Sequence, residues 1–249
     1  MRVVIVFLLS LFVVACATTG SGTGSDEDSA AEINVRLGLG YLQQGRPQLA
    51  ISNFKRAIEL DPRLADAHHY AAESYRRMKQ YARADDHFTR ALKLAPKDSA
   101  IKNNYGVYLC DRQQYAEADK YFTEVLQDKF YTSTSEAFEN AGLCARQSGD
   151  LKLAAERFRQ AVEYDEDRAR SLYQLADLSF IAEEHVSARA FLQRYFSVAQ
   201  ANAPSLWLAI RIESALGNNN EVREYATALH KSFSGSNEAK EFKIFWENQ

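Results

Sequence analysis

Three sets of side chains in this sequence could do chemistry: His68 and His69 with Glu73, the internal cysteines Cys110 and Cys144, and the isolated Cys16. His69 and Glu73 stand four residues apart, so on a helix they share a face and could both reach a metal ion. His69 and Glu73 alone are too few to hold one, and solvated or core-edge side chains account for the pattern, so neither a metal site nor a cofactor is expected. No Gly-rich phosphate loop, HExxH or nucleophile elbow occurs. The chain is therefore expected to bind rather than catalyse, with no small-molecule substrate. Asp26, Glu27 and Asp28 are read as solvated acids of a tether.

Cys16 carries a different chemistry. Met1 and Arg2 make a short positive start, and Val3 to Val14 form an apolar run. That run is shorter than the roughly 20 residues a helix needs to cross a bilayer, and it has the parts of a secretory signal, residues 1–15. The ending "VVAC" resembles a bacterial lipobox, with Val13 where leucine is usual. By that resemblance Cys16 becomes the lipid-modified first residue, and Ala17 behind it resembles an outer-membrane address. The expectation is a lipid-anchored protein on the periplasmic face of the outer membrane.

The elements that follow must position everything else. Formal net charge is −3, and no basic stripe marks a nucleic-acid partner. No polybasic segment follows Cys16, so the lipid alone would hold the membrane. Residues 16–30, reading "ATTGSGTGSDEDSA" after the cysteine, lack bulky apolar side chains. Such a segment cannot offset its ordering entropy and is expected to be a tether with a reach of about 20 Å.

Beyond it, helix formers dominate and one spacing repeats. Ala-x-x-x-Phe occurs at Ala50/Phe54, Ala84/Phe88, Ala118/Phe122 and Ala154/Phe158, in steps of 34, 34 and 36, with Ala188/Leu192 a further 34 on. With Gly38, Tyr41, Ala57 and Pro62 in the first copy, this resembles the tetratricopeptide repeat, a pair of antiparallel helices. The expected fold is all-α: about six stacked helix pairs forming a superhelix, at 31–64, 65–98, 99–134, 135–168, 169–202 and 203–236, with a capping helix at 237–249. The last two copies are degenerate. The two extra residues between units three and four imply a longer turn around "FYTSTSE". Gly45, Gly149 and Gly217 fall at inter-helix turns, where a left-handed backbone suits glycine.

Within that frame Cys110 and Cys144 end the first helices of neighbouring units. They can form a disulfide in an oxidising compartment, the reading favoured here, or stand as two small buried residues. First helices should line the concave face. The expected partner groove is Val35, Leu39 and Leu42, an exposed apolar stripe, then His69, Glu73 and Arg76, with Asn103 and Val107, flanked by Asp66, Arg77 and Asp111. Leu37 and Tyr41 are expected in the core. Val35 and Leu39 stand where repeats that grip chaperone tails carry a clamp, which disfavours that ligand.

A lipobox, a tether and six such units resemble the PilF/PilW family of type IV pilus biogenesis lipoproteins, most closely at "NNYGVYLC", "FENAGLC", "SLWLAIRIE" and "SGSNEAKEF". The resemblance implies a pilotin, which helps the pilus secretin reach the outer membrane and multimerise. It places the binding surface in the first units, on Val35, Leu39 and Leu42. Two alternatives stay open: an adaptor for a periplasmic peptidoglycan enzyme, and a subunit of the outer-membrane barrel assembly machinery.

Overall fold

The computed structural model describes residues 29–247; the expected signal segment, Cys16 and nearly all of the tether lie outside them. Among the described residues the chain is helical and strand-free. Successive helices pair as α1 (Ala30–Gln43) with α2 (Pro47–Leu60), α3 (Ala65–Arg77) with α4 (Tyr81–Leu94), and α5 (Ser99–Asp111) with α6 (Tyr115–Gln127). Then follow α7 (Thr134–Ser148) with α8 (Leu151–Tyr164), α9 (Ala169–Ile181) with α10 (His185–Val198), and α11 (Ala203–Ala215) with α12 (Asn219–Phe233). A last helix, α13 (Asn237–Glu247), packs on α11 and α12. The result is an all-α stack of helix pairs. Units three and four are joined by residues 128–133, two more than any other inter-unit link.

Local signals explain where the helices start. Ser29 and Glu32 form a reciprocal capping box on α1, Asp98 and Asp150 cap α5 and α8, and Pro47 opens α2. The second helices of units one to four then present an Ala/Phe stripe to their partners. Ala50, Phe54 and Ala57 are wholly buried, as are their equivalents Ala84, Phe88 and Ala91. Each such ring contributes about 1.5–3 kcal/mol. The facing residue must be small: a Cβ on Gly142 would lie 2.8 Å from the Phe158 ring, and one on Gly106 would lie 2.9 Å from Phe122. Unit two accepts Ala72 there, and unit five combines Ala176 with Leu192.

The intra-unit turn repeats more faithfully than the sequence does. Gly45, Lys79, Gln113, Gly149, Glu183 and Gly217 all have φ between 57° and 88°. In every unit the following amide closes back on the first helix: Arg46 to Tyr41 O, Gln80 to Tyr75 O, Gln114 to Leu109 O, Asp150 to Ala145 O, Glu184 to Ser179 O and Asn218 to Glu213 O. This is a six-to-one closure of a helix terminus. It marks units five and six as true copies although their side chains have drifted.

Leu37 is a correction. It is exposed, not core, and so is Ile33 one turn earlier. Their equivalents Ala67, Ile101 and Ala137, and Ala71 and Ala141, are buried. That face packs against the preceding unit, and among the described residues α1 has none before it. At the other end α13 closes the stack, with the rings of Phe242 and Phe245 set edge-on to Trp207 at centroid distances of 6.4 and 5.6 Å.

A side-chain-bearing residue in the left-handed region pays a steric penalty that glycine avoids. Gln113→Gly and Glu183→Gly should each raise stability by about 0.5–1 kcal/mol in urea unfolding, whereas Gly149→Gln should lower it.

Candidate functional site

The first helices α1, α3, α5, α7 and α9 line up across the concave face and are joined by polar contacts one unit apart. Arg77 Nη1 donates to Leu42 O (3.4 Å), linking α3 to α1. Asn104 Nδ2 donates to His69 Nε2 (2.7 Å), and Arg76 bridges to Asp111 (2.5 Å), linking α5 to α3. Asn140 Nδ2 donates to Asn103 Oδ1 (3.3 Å) between α7 and α5. Arg146 of α7 reaches Gln174 and Asp177 of α9, and Ser171 Oγ donates to Glu139 (2.9 Å). Cys110 and Cys144 are bonded through their sulfurs, with Cα atoms 5.7 Å apart, at the carboxyl ends of α5 and α7. The concave face is therefore a stapled surface.

At the amino-terminal end of that face lies a hollow of about 470 Å³, lined by Leu39, Leu42, Gln43, Tyr70, Glu73, Arg76, Arg77, Asn104, Val107, Glu136, Asn140 and Arg170. Five expected groove residues meet there: Leu39, Leu42, Glu73, Arg76 and Val107. Val35, His69 and Asn103 do not line it; they are buried between successive first helices. These three share one repeat register, which points at the neighbouring unit. Leu42 touches the hollow but is itself 5% exposed, so the expected open stripe reduces to the half-buried Leu39. Tyr41 is half-buried and packs against the core under Arg46.

The residues missed were Gln43, then Tyr70, Asn104 and Asn140 at one register and Glu136 and Arg170 at another. The first register lies one helix turn before Glu73 and the second is that of Asp66, so the repeat alignment carried the signal.

Glu73, Arg76 and Arg77 form one charge network in the hollow. Burial opposes the Glu73 carboxylate, but hydrogen bonds and charge from Arg76 and Arg77 outweigh it and hold its pKa below the ordinary value. Burial likewise opposes the Arg76 cation, and Glu73 with Asp111 raises its pKa above normal. Arg170, with a side chain 63% exposed and 3.8 Å from Glu139, stands at the rim. His69 is pushed down to about 4 by burial, partly offset by Asp98 and Glu73. It is a neutral structural acceptor for Asn104. Among the described residues no group of three or more His, Cys, Asp or Glu side chains could hold a metal, and no helix is long and apolar enough to cross a membrane.

Known proteins match this architecture. Tetratricopeptide-repeat family models match residues 29–97, 71–133 and 139–204. The type IV pilus assembly protein PilF of Pseudomonas aeruginosa is 31% identical over 246 residues, 97% of this chain and 98% of PilF. The chain belongs to the PilF/PilW family of type IV pilus biogenesis proteins. A solved structure of Pseudomonas aeruginosa PilF superimposes with a TM-score of 0.78, covering 86% of this chain and 97% of that one. A crystal structure of PilW, a widely conserved type IV pilus biogenesis factor, gives 0.78 at 27% identity, covering 86% and 99%. The likeness to PilF extends over nearly the whole chain in sequence and over most of it in structure.

Two outcomes test this geometry. Replacing both Cys110 and Cys144 by Ser removes a cross-link spanning 34 residues and should cost about 3–4 kcal/mol in denaturant unfolding. Histidines with depressed folded pKa values, His69 and His87 at about 4, stay neutral while the unfolded chain protonates near 6.5. Stability is therefore full above about pH 6.5 and falls as pH drops toward 4. His69→Gln should flatten that dependence in urea titrations at several pH values.

Proposed function

We propose that this PilF/PilW family member is a pilotin: an outer-membrane lipoprotein, anchored through Cys16 on the periplasmic side, that binds the pilus secretin and promotes its multimerisation. It acts by protein–protein binding and not by catalysis. The observation that carries the reading is the hollow across the first helices of units one to four, with Arg170 of unit five at its rim. Its apolar members Leu39, Leu42, Tyr70 and Val107 sit beside the charges of Arg76, Arg77, Glu136 and Arg170. A concave first-helix surface with a small apolar floor and a charged rim suits an extended or helical segment of a partner. Family membership supports the pilus system as the place where that partner is found.

Leu39 is the discriminating residue, because it is half-buried and faces the hollow while its equivalent in unit two is already an acid, Glu73. Leu39→Glu should therefore preserve helicity and unfolding midpoint while abolishing detergent-resistant secretin multimers on immunoblots. Arg223→Glu, on the distant α12, should leave them intact. Normal multimers with Leu39→Glu would overturn the assignment of the groove. Recovery of a peptidoglycan hydrolase, with no secretin, alongside the protein would favour the adaptor reading instead.

A further inference from the structure

His68 on α3 and His87 on α4 face each other inside unit two, away from the groove. Their Nδ1 atoms lie 3.1 Å apart, and their ring centroids lie 5.3 Å apart. The 2.2 Å difference between those distances is about two imidazole radii, so each Nδ1 points along the line joining the rings. Pro62 O can only accept, so His68 Nε2 carries the proton it donates (3.2 Å) and His68 Nδ1 presents a lone pair. A carbonyl on the far nitrogen is the arrangement that fixes the tautomer of a metal-binding histidine. His68 is buried and His87 is half-exposed, with the Tyr75 ring stacked on it at 5.4 Å.

We infer that His68 and His87 form a linear two-nitrogen site for a soft monovalent d10 cation, Cu⁺ or its analogue Ag⁺. Two opposed imidazoles match the linear coordination such ions accept, whereas Zn²⁺ asks for four ligands. The charges acting on His87 are of both signs, Asp86 against Arg90 and Lys55, so the linear geometry carries the choice of ion. With metal–nitrogen bonds of about 2 Å the two Nδ1 atoms must sit about 4 Å apart. The rings need to part by about 1 Å, a rotation open to the half-exposed His87. On binding, His87 exchanges its Nδ1 proton for one on Nε2 through solvent, so the ring stays neutral and no net proton is released.

The test uses Ag⁺, which needs no reductant and so spares the disulfide, on the full chain in detergent with Cys16→Ser removing the remaining thiol. Equilibrium dialysis should give one Ag⁺ per chain, and X-ray absorption at the silver edge should give a shell of two nitrogens. His87→Ala should weaken binding at least tenfold, with circular dichroism unchanged, and His185→Ala should not. The inference is overturned if His87→Ala binds as well as the parent, if the shell contains sulfur, or if the parent takes up no silver. Secretin multimerisation does not enter the readout, so the pilotin reading stands or falls separately.

Discussion

The distance at which the two helices of one unit can meet governs the rest of the molecule, and it is set where a small residue faces a ring. Phe54, Phe88, Phe122 and Phe158 are almost wholly excluded from solvent, and across from them stand Gly38, Ala72, Gly106 and Gly142. The close approach buries one face of each pair and leaves the opposite faces apolar, so no unit is complete alone. Stacking follows, because each uncovered face is satisfied only by the next unit. The curvature, and with it the concave surface, is a consequence of repeating that contact.

What the concave surface then offers is decided by which register points at a neighbour and which points at solvent. Val35, His69 and Asn103 are consumed in holding first helices together, while Leu39, Glu73 and Val107, four residues on, open into the hollow. The inter-unit polar contacts add specificity of register more than net stability, since buried ion pairs repay much of their attraction in desolvation. Glu73 illustrates this: three hydrogen bonds from Arg76 and Arg77 satisfy it, and the pairs keep the groove's charges in place. A groove with prearranged charges presents a partner with a formed surface and so lowers the ordering cost of binding.

The helix pairs were legible because Ala and Phe recur at the unit spacing and because glycine marks three of the six turns. The other three turns, at Lys79, Gln113 and Glu183, were hidden, since their side chains give no sign of a left-handed backbone. The groove was legible only by half. The Leu37 register is buried at Ala71 and Ala141 and becomes surface in the first unit for lack of a predecessor, an end effect that belongs to position in the stack and not to residue type. Val35 goes the other way for a different reason, because its register points at the neighbouring unit in the interior as well, at His69 and Asn103. Asn104, Asn140 and Arg170 were invisible for another reason: polar side chains on a helical face look solvated until a neighbouring helix is placed beside them. His87, far from His68 in sequence and on another helix, gave no spacing signal at all.

The central claim is that partner binding uses the concave surface of units one to four and leaves the rest of the stack as scaffold. Hydrogen–deuterium exchange of the full chain, with and without the purified pilus secretin, tests it most directly. The account predicts added protection in α1, α3, α5 and α7, with α10 to α13 unchanged. Protection confined to the outer helices α2, α4 and α6, or to the last two units, would contradict it.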